Sequence, residues 1–251
     1  MSPSVAFWDA GEYIACGAGL CVPHPPGNPF YIILGRISAI LPLIGFSTAQ
    51  KVTFLSTVFS AFSVMFLYLI TVRFLRSFYQ NDDLKDRFAI IYLPAIFVAA
   101  ATAFSDSFWI NSLEAEVYAG LAFFVTLCVW MMLKWAQISE DYDRQKILLL
   151  IIYISFLGVG VHQTVLQVAP AFLFFFLFPL FDWHKSETLF GLLGIGIGLF
   201  AAYGIFNEIG LAIGHPSLGK YGMAAFLFVV LYYLLTVRKK VVNPQFWVWA
   251  F

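Results

Sequence analysis

Asp9, Glu12 and His24 are the residues of this sequence best equipped to move a proton. They stand in Trp8-Asp9-Ala10-Gly11-Glu12 and in His24-Pro25-Pro26-Gly27, near the head of an otherwise strongly apolar chain. A carboxylate held beside a hydroxyl can act as its general base, and a histidine titrates in the range where such chemistry runs. The same spacing has a purely structural use. Asp9-x-x-Glu12 has the form of a capping box, in which the first residue accepts from backbone N–H groups and the second reaches back to it. The local sequence leaves both readings open, and a capped helix end is itself a rigid mount for an acid or base. At His24 each proline fixes its own φ and pushes the residue before it out of the helical region. With Gly27 to turn, Asn28 to cap and Pro29 suited to a first helical turn, the segment reads as a rigid corner that aims one imidazole. Spacing alone favours a structural corner with a satisfied histidine.

Two more polar clusters follow. Glu114, Glu116 and Tyr118 close the stretch 105–118, where Asn111-x-x-Glu114 offers a second capping box. Glu116, two residues past Glu114, points away from it, so at most one of the two faces a site shared with Asp9. Gly160-Val161-His162-Gln163 brings a histidine and an amide, although a lone histidine is more often a packed, hydrogen-bonded residue than a ligand. Arg36 and Lys51 are the nearby cations that could meet an anionic group. Cys16, Cys21 and Cys128 are odd in number, and a chain that folds in lipid needs no staple, so no function is assigned to them.

The elements that must position these residues are membrane helices. With 61% apolar, 19% aromatic and 11% charged residues, the chain is far more apolar than a soluble domain. Its net charge of zero offers no basic field for nucleic acid. Runs of roughly 17–25 apolar residues, long enough to cross a bilayer, occur near 52–75, 88–104, 115–134, 147–164, 165–181, 188–210 and 221–237. The reading is an all-α membrane protein of about seven spans, one integral domain over 1–251. Residues 1–50 form a loop with interfacial helices and the candidate site, and 51–251 form the transmembrane bundle. Arg36 inside the apolar segment 29–46 would cost about 2.5–3.5 kcal/mol at mid-bilayer, so that segment lies along the interface. Ser56, Ser60 and Ser63 make a small-residue stripe that reads as a helix-packing face.

Orientation follows from the cations. Alternating loops place Arg73, Arg76, Lys85, Arg87, Lys134, Arg144, Lys146, Lys185, Arg238, Lys239 and Lys240 on one side, leaving only Arg36, Lys51 and Lys220 on the other. The positive-inside rule puts the first side in the cytoplasm and the candidate site outside it. No signal peptide is legible before Asp9, and 245–251 reads as the start of another apolar segment. The expectation is a piece of a longer protein, with a span before it.

Trp8-Asp9-x-Gly11-Glu12, His24-Pro25-Pro26-Gly27, Glu114-x-Glu116-Val117-Tyr118 and Gly160-Val161-His162, in this order within a multispan chain, resemble the protein O-mannosyltransferase-like membrane family. That family belongs to the polyprenyl-phosphate-sugar glycosyltransferases of the GT-C fold, and the likeness covers roughly residues 5–180. It implies an inverting transfer of a sugar, mannose in the first instance, from a polyprenyl-phosphate donor to a protein hydroxyl outside the cytoplasm. It further implies Asp9 as the principal catalytic carboxylate with Glu12 beside it. Substrate contacts would come from His24, Arg36, Lys51, Glu114, Glu116, Tyr118, His162 and Gln163. The membrane would be a bacterial plasma membrane, or the endoplasmic reticulum of a eukaryote. No metal site is assigned; a divalent cation could sit on Asp9 or Glu12 with His24, but no spacing demands one. The competing readings are a transporter or lipid-handling protein with an outer acidic site, and a scaffold whose acidic motifs merely cap helices.

Overall fold

The computed structural model describes residues 8–79, 88–138, 141–168, 172, 186–215 and 217–238. The expected crossing at 165–181 falls almost wholly outside them. So do the apolar stretch 245–251 and the cations Lys85, Arg87, Lys185, Lys239 and Lys240. The chain divides into two compact units, Met1–Phe172 and Leu173–Phe251. Among the described residues the regular structure is entirely helical, and the protein is an all-α integral membrane protein.

The first unit opens with two short helices, α1 (Ala10–Gly19) and α2 (Pro29–Ile40). They cross where Gly17 meets Gly35: a Cβ on Gly17 would lie 3.3 Å from the Gly35 carbonyl carbon. The Arg36 guanidinium donates to the Ala18 carbonyl, which ties the end of α1 to α2. On α2, Tyr31, Ile32, Gly35 and Ser38 are buried, whereas Ile33, Ile37 and Ile40 stay exposed. An exposed apolar stripe on a short helix suits a segment lying along a bilayer surface. The helix stops at Ile40, earlier than the expected 46, because Leu41 takes an extended conformation ahead of Pro42.

Next comes α3 (Thr48–Ser77), thirty residues long and started by a complete capping box. Ser47 Oγ accepts from the Gln50 N–H at 3.2 Å, and Gln50 Oε1 accepts from the Ser47 N–H at 2.9 Å. α3 packs against α1, α2, α4 (Phe88–Ala103), α5 (Asp106–Leu113) and α6 (Val117–Trp135), so it is the spine of the unit. α4 and α5 meet at a 60° bend. α7 (Asp141–Val159) lies on α6 and runs into a 3₁₀ turn, Gln163–Val168. The predicted crossing at 147–164 therefore ends as a helix at Val159, where the chain turns through Gly160. In the second unit, α8 (Ser186–Ala212) packs on α9 (Leu218–Tyr232), which continues as a π-helical turn, Tyr233–Arg238. Among the described residues, four helical stretches are long and apolar enough to cross a membrane: Thr48–Ser77, Val117–Trp135, Gly194–Ala212 and Leu218–Thr236; the bent pair α4–α5 makes up to five.

The core of the first unit lies directly beneath its amino-terminal helices. Ala10, Tyr13, Cys16, Tyr31, Ile32, Val52, Phe59, Val117, Phe124 and Val161 are buried together. Its pivot is Gly160. The first turn of α2 leaves N–H groups that no intrahelical carbonyl can accept, and the Gly160 carbonyl takes two of them, from Phe30 at 2.9 Å and Tyr31 at 3.3 Å. A Cβ at Gly160 would stand 2.8 Å from the Phe30 Cβ, closer than real contacts allow. Gly160→Ala is therefore expected to push α2 off the α7 turn and to cost about 1–3 kcal/mol, the usual toll of overpacking. A lowered melting temperature of the detergent-solubilised protein is the readout.

Candidate active site

His24 sits on the corner between α1 and α2, in a turn closed by the Gly27 N–H on the His24 carbonyl at 2.9 Å. Glu12, on the first turn of α1, faces it. One Glu12 oxygen accepts the His24 backbone N–H at 2.7 Å, and the other meets ring Nδ1, also at 2.7 Å. The far ring nitrogen, Nε2, lies 3.7 Å from Asp9 Oδ2. All three side chains are about half exposed, at 42% for His24, 51% for Asp9 and 40% for Glu12.

This geometry decides the role of the first acidic pair. Asp9 is the N-cap residue of α1, but it has helical φ and ψ and its side chain makes no capping bond. Glu12 does not reach back to Asp9 because both of its oxygens are engaged by His24. The capping box permitted by the sequence is thus not formed. Nor is the second one: Asn111 Nδ2 donates to the Ser107 carbonyl, and Glu114 stands past the end of α5.

The charges respond accordingly. The His24 side-chain hydrogen bond, then its backbone bond, holds the Glu12 carboxyl below its usual range. The Glu12 hydrogen bond raises His24 above its own, and the Asp9, Glu12 and Glu116 charges add to this against a desolvation cost. Both shifts favour an imidazolium–carboxylate pair.

A line of buried polar groups runs from this pair into the core. The Tyr13 ring lies 5.8 Å from the His24 ring and 5.2 Å from that of Tyr31, centre to centre. Asn28, in a left-handed conformation at the start of α2, donates from Nδ2 to the Tyr13 hydroxyl at 2.6 Å. The Tyr31 hydroxyl meets Ser56 Oγ at 3.4 Å. Ser56 Oγ in turn brackets the Glu116 backbone, 3.3 Å from its carbonyl and 3.4 Å from its nitrogen. Burial, with the Glu116 and Asp9 charges, pushes the Tyr13 hydroxyl up to about 12.

Glu116 ends this line, immediately before α6, and is only 7% exposed. Burial raises its carboxyl to about 7, and the charges of Asp9 and Glu114 act in the same direction. Glu116 is the glutamate that shares surroundings with Asp9 and His24. Glu114 contributes its carbonyl, which accepts the Glu116 N–H at 2.9 Å. Tyr118, on the first turn of α6, packs its ring 5.3 Å from that of His162. His162 Nδ1 accepts the Thr164 N–H at 3.2 Å, and burial lowers its affinity for a proton. Gln163 is exposed at the start of the 3₁₀ turn. Arg36 is held at the α1–α2 seam, and Lys51, in the first turn of α3, is half-buried with its carbonyl accepting the Ser38 hydroxyl.

Cys16 and Cys21 form a disulfide at the carboxyl end of α1, which corrects the reading that the cysteines have no part to play; Cys128 is free and buried. The sequence assigns no role to Tyr13 or Tyr31, and it marks Asn28 only as a cap and Ser56 only as a packing residue. Tyr13 and Asn28 directly follow the singled-out Glu12 and Gly27 motifs, but nothing local reveals that their side chains bond to each other. Ligand atoms of Asp9, Glu12 and His24 all lie within 4.8 Å of one another. Two carboxylates and an imidazole suit a divalent cation, although the imidazolium already supplies positive charge at that point.

The first, second, third and fourth motifs thus meet in one unit. Residues 9–186 match the family model described as the protein O-mannosyl-transferase TMEM260 N-terminal domain. The chain belongs to that family. Every candidate residue named above falls within the match. Among curated relatives, the protein O-mannosyl-transferase tmem260 of Dictyostelium discoideum is 24% identical over 186 residues, covering 70% of this chain and 21% of the relative. The mouse protein O-mannosyl-transferase TMEM260 is 27% identical over 139 residues, covering 55% of this chain and 18% of the relative. The chain therefore spans about a fifth of the length of the relatives it matches. No solved structure matches it.

Two outcomes follow from the electrostatics. Glu12→Gln removes the leading cause of the His24 shift, so the imidazole should titrate at lower pH, as followed by NMR of labelled histidine. For Glu116 the folded carboxyl titrates near 7, above the ordinary 4.5. The folded state then holds its proton longer than the unfolded one, and stability falls as pH rises between those values. Glu116→Gln abolishes that loss, so its melting temperature relative to the parent should climb from pH 4.5 to pH 7 and level off above.

Proposed function

We propose that this chain carries the active site of a membrane glycosyltransferase that moves mannose from a polyprenyl-phosphate donor to a protein serine or threonine hydroxyl outside the cytoplasm. The observation that carries the proposal is the unequal treatment of the clustered carboxylates. Glu12 is committed to His24 through both oxygens, and Glu116 is buried and inclined to keep its proton. Asp9 stands at the N-cap of α1 with its side chain free of any capping duty, beside an imidazolium.

In this reading Asp9 is the general base. It takes the proton of the acceptor hydroxyl, whose oxygen attacks the anomeric carbon while the bond to the lipid phosphate breaks and the phosphate leaves with the electron pair. One displacement inverts the configuration. Glu12 is a positioning residue that fixes His24, and the His24 cation, with Lys51 and Arg36, offsets the charge that develops on the departing phosphate. Tyr118, His162, Gln163 and Glu114 frame the bound substrates from the α6 and α7 ends.

Three further observations support the reading. The relatives bear the name of protein O-mannosyl-transferases. The Cys16–Cys21 disulfide beside the site suits an oxidising compartment, in agreement with the side assigned by the loop cations. The neighbourhood of Asp9, His24 and Glu116 is what a scaffold with merely capped helices has no need of.

Asp9→Asn should lower transfer by about 10²–10⁴, the range for loss of a general base. His24→Ala should lower it substantially with the fold retained. Both are measured as mannose transferred to a serine- and threonine-bearing acceptor at matched expression, and Asp9→Asn working at the parent rate would remove Asp9 from the mechanism.

A further inference from the structure

The Cys16–Cys21 disulfide lies on the same side of α1 as the candidate site. Asp9, Glu12 and Cys16 are spaced i, i+3 and i+7, which stacks them along one face of that helix. Cys21 and His24 belong to the segment that follows the helix, and each meets this face. Cys21 is bonded to Cys16, while His24 meets Glu12 through Nδ1 and turns Nε2 toward Asp9. The segment therefore folds back along the helix it has just left.

The lengths agree with this arrangement. Glu12 and Asp9 stand about 6 Å and about 10 Å of helical rise from Cys16. Pro23 and Pro25 push Val22 and His24 toward extended backbone, and three extended residues from Cys21 to His24 reach about 10 Å. With Cys21 pinned at Cys16, the imidazole arrives level with the two carboxylates.

The reversal that starts the segment has few other ties. Leu20 takes a left-handed φ of 55°, which glycine adopts freely and leucine does not. One backbone bond closes the turn, from the Cys21 N–H to the Cys16 carbonyl at 3.3 Å. Cys16 is a fixed anchor, buried in the core with Tyr13 and Val52, whereas Leu20, Cys21 and Val22 are exposed.

We infer that the Cys16–Cys21 disulfide is a redox-sensitive clamp that holds His24 between Glu12 and Asp9, and that a dithiol reductant switches the site off by opening it. Cys16 and Cys21 are then positioning residues that act through His24. The reductant reaches the bond from the exposed Cys21 side. Its two electrons break the sulfur–sulfur bond, each cysteine sulfur takes up a proton, and the dithiol closes to its own disulfide. α1 keeps its other anchors when this happens, Gly17 against Gly35 and the Ala18 carbonyl on Arg36. The effect on transfer rests on the glycosyltransferase reading above; the placement of His24 does not.

The test treats the purified protein in detergent with dithiothreitol, with opening of the bond verified by alkylation and mass spectrometry. NMR of labelled histidine and mannose transfer are then followed. The Glu12 bond holds His24 above its ordinary range, so its titration should move to lower pH on reduction. Transfer should fall in kcat by up to about 10²-fold, the cost of a misplacement of about 1 Å, and recover on reoxidation. The double variant Cys16→Ser, Cys21→Ser should start at the reduced level and ignore dithiothreitol. In His24→Ala, reduction should cost nothing further, because the clamp acts through the missing side chain. An unchanged His24 titration in protein whose bond is open would overturn the inference. So would an equal loss of transfer on reduction in His24→Ala and in the parent, which would make the disulfide a general structural staple. A parent that transfers nothing, but whose His24 titration moves on reduction, would uphold the clamp and count against the glycosyltransferase reading.

Discussion

Glu12 meets His24 twice, once at the backbone and once at the ring, and the amino-terminal architecture depends on that double contact. It closes α1 against the proline corner, and it fixes both the position of the histidine and the direction in which its ring points. With Nδ1 engaged, Nε2 is left turned toward Asp9. One glutamate thereby orients an imidazole, favours its charged form and leaves the neighbouring aspartate for the role proposed for it. A change at Glu12 acts on all three at once.

The same economy appears deeper in the unit, where buried backbone groups must find partners within the protein. The Gly160 carbonyl accepts the unpaired N–H groups at the start of α2, and Ser56 brackets the Glu116 backbone where α6 begins. Helix ends that would otherwise be left unpaired are satisfied by groups from elsewhere in the unit. Such contacts draw separated motifs together, Glu12 onto His24 and Tyr118 onto His162. The near contact of Gly160 with Phe30 follows, since the carbonyl can approach the α2 amides only where no side chain intervenes.

Much of this was legible in the sequence. Composition and run length announced an all-helical membrane protein, and the segment after Pro29, which Arg36 marked as interfacial, holds a helix of 12 residues, Pro29–Ile40. The ordered motifs pointed to the family. Local pattern failed where long-range contacts decide. Asp9-x-x-Glu12 and Asn111-x-x-Glu114 both satisfy the capping rule, yet neither caps, because His24 competes for Glu12 and Ser107 for Asn111. Ser56 reads as a packing residue on spacing alone; its bonds reach Glu116, sixty residues away. The Cys16–Cys21 disulfide escaped because a chain that folds in lipid needs no such staple, and nothing local marks two cysteines five residues apart as paired.

In the proposed reaction the membrane is the source of the sugar and Asp9 the acceptor of the proton. Its most direct test supplies the purified protein and a serine- and threonine-bearing acceptor with either polyprenyl-phosphate-mannose or a nucleotide-activated mannose, and analyses the acceptor by mass spectrometry. The prediction is the gain of one hexose on a hydroxyl residue with the lipid-linked donor and none with the nucleotide. Transfer from the nucleotide sugar in the absence of lipid, or an unmodified acceptor with a bound and intact lipid donor, would contradict it.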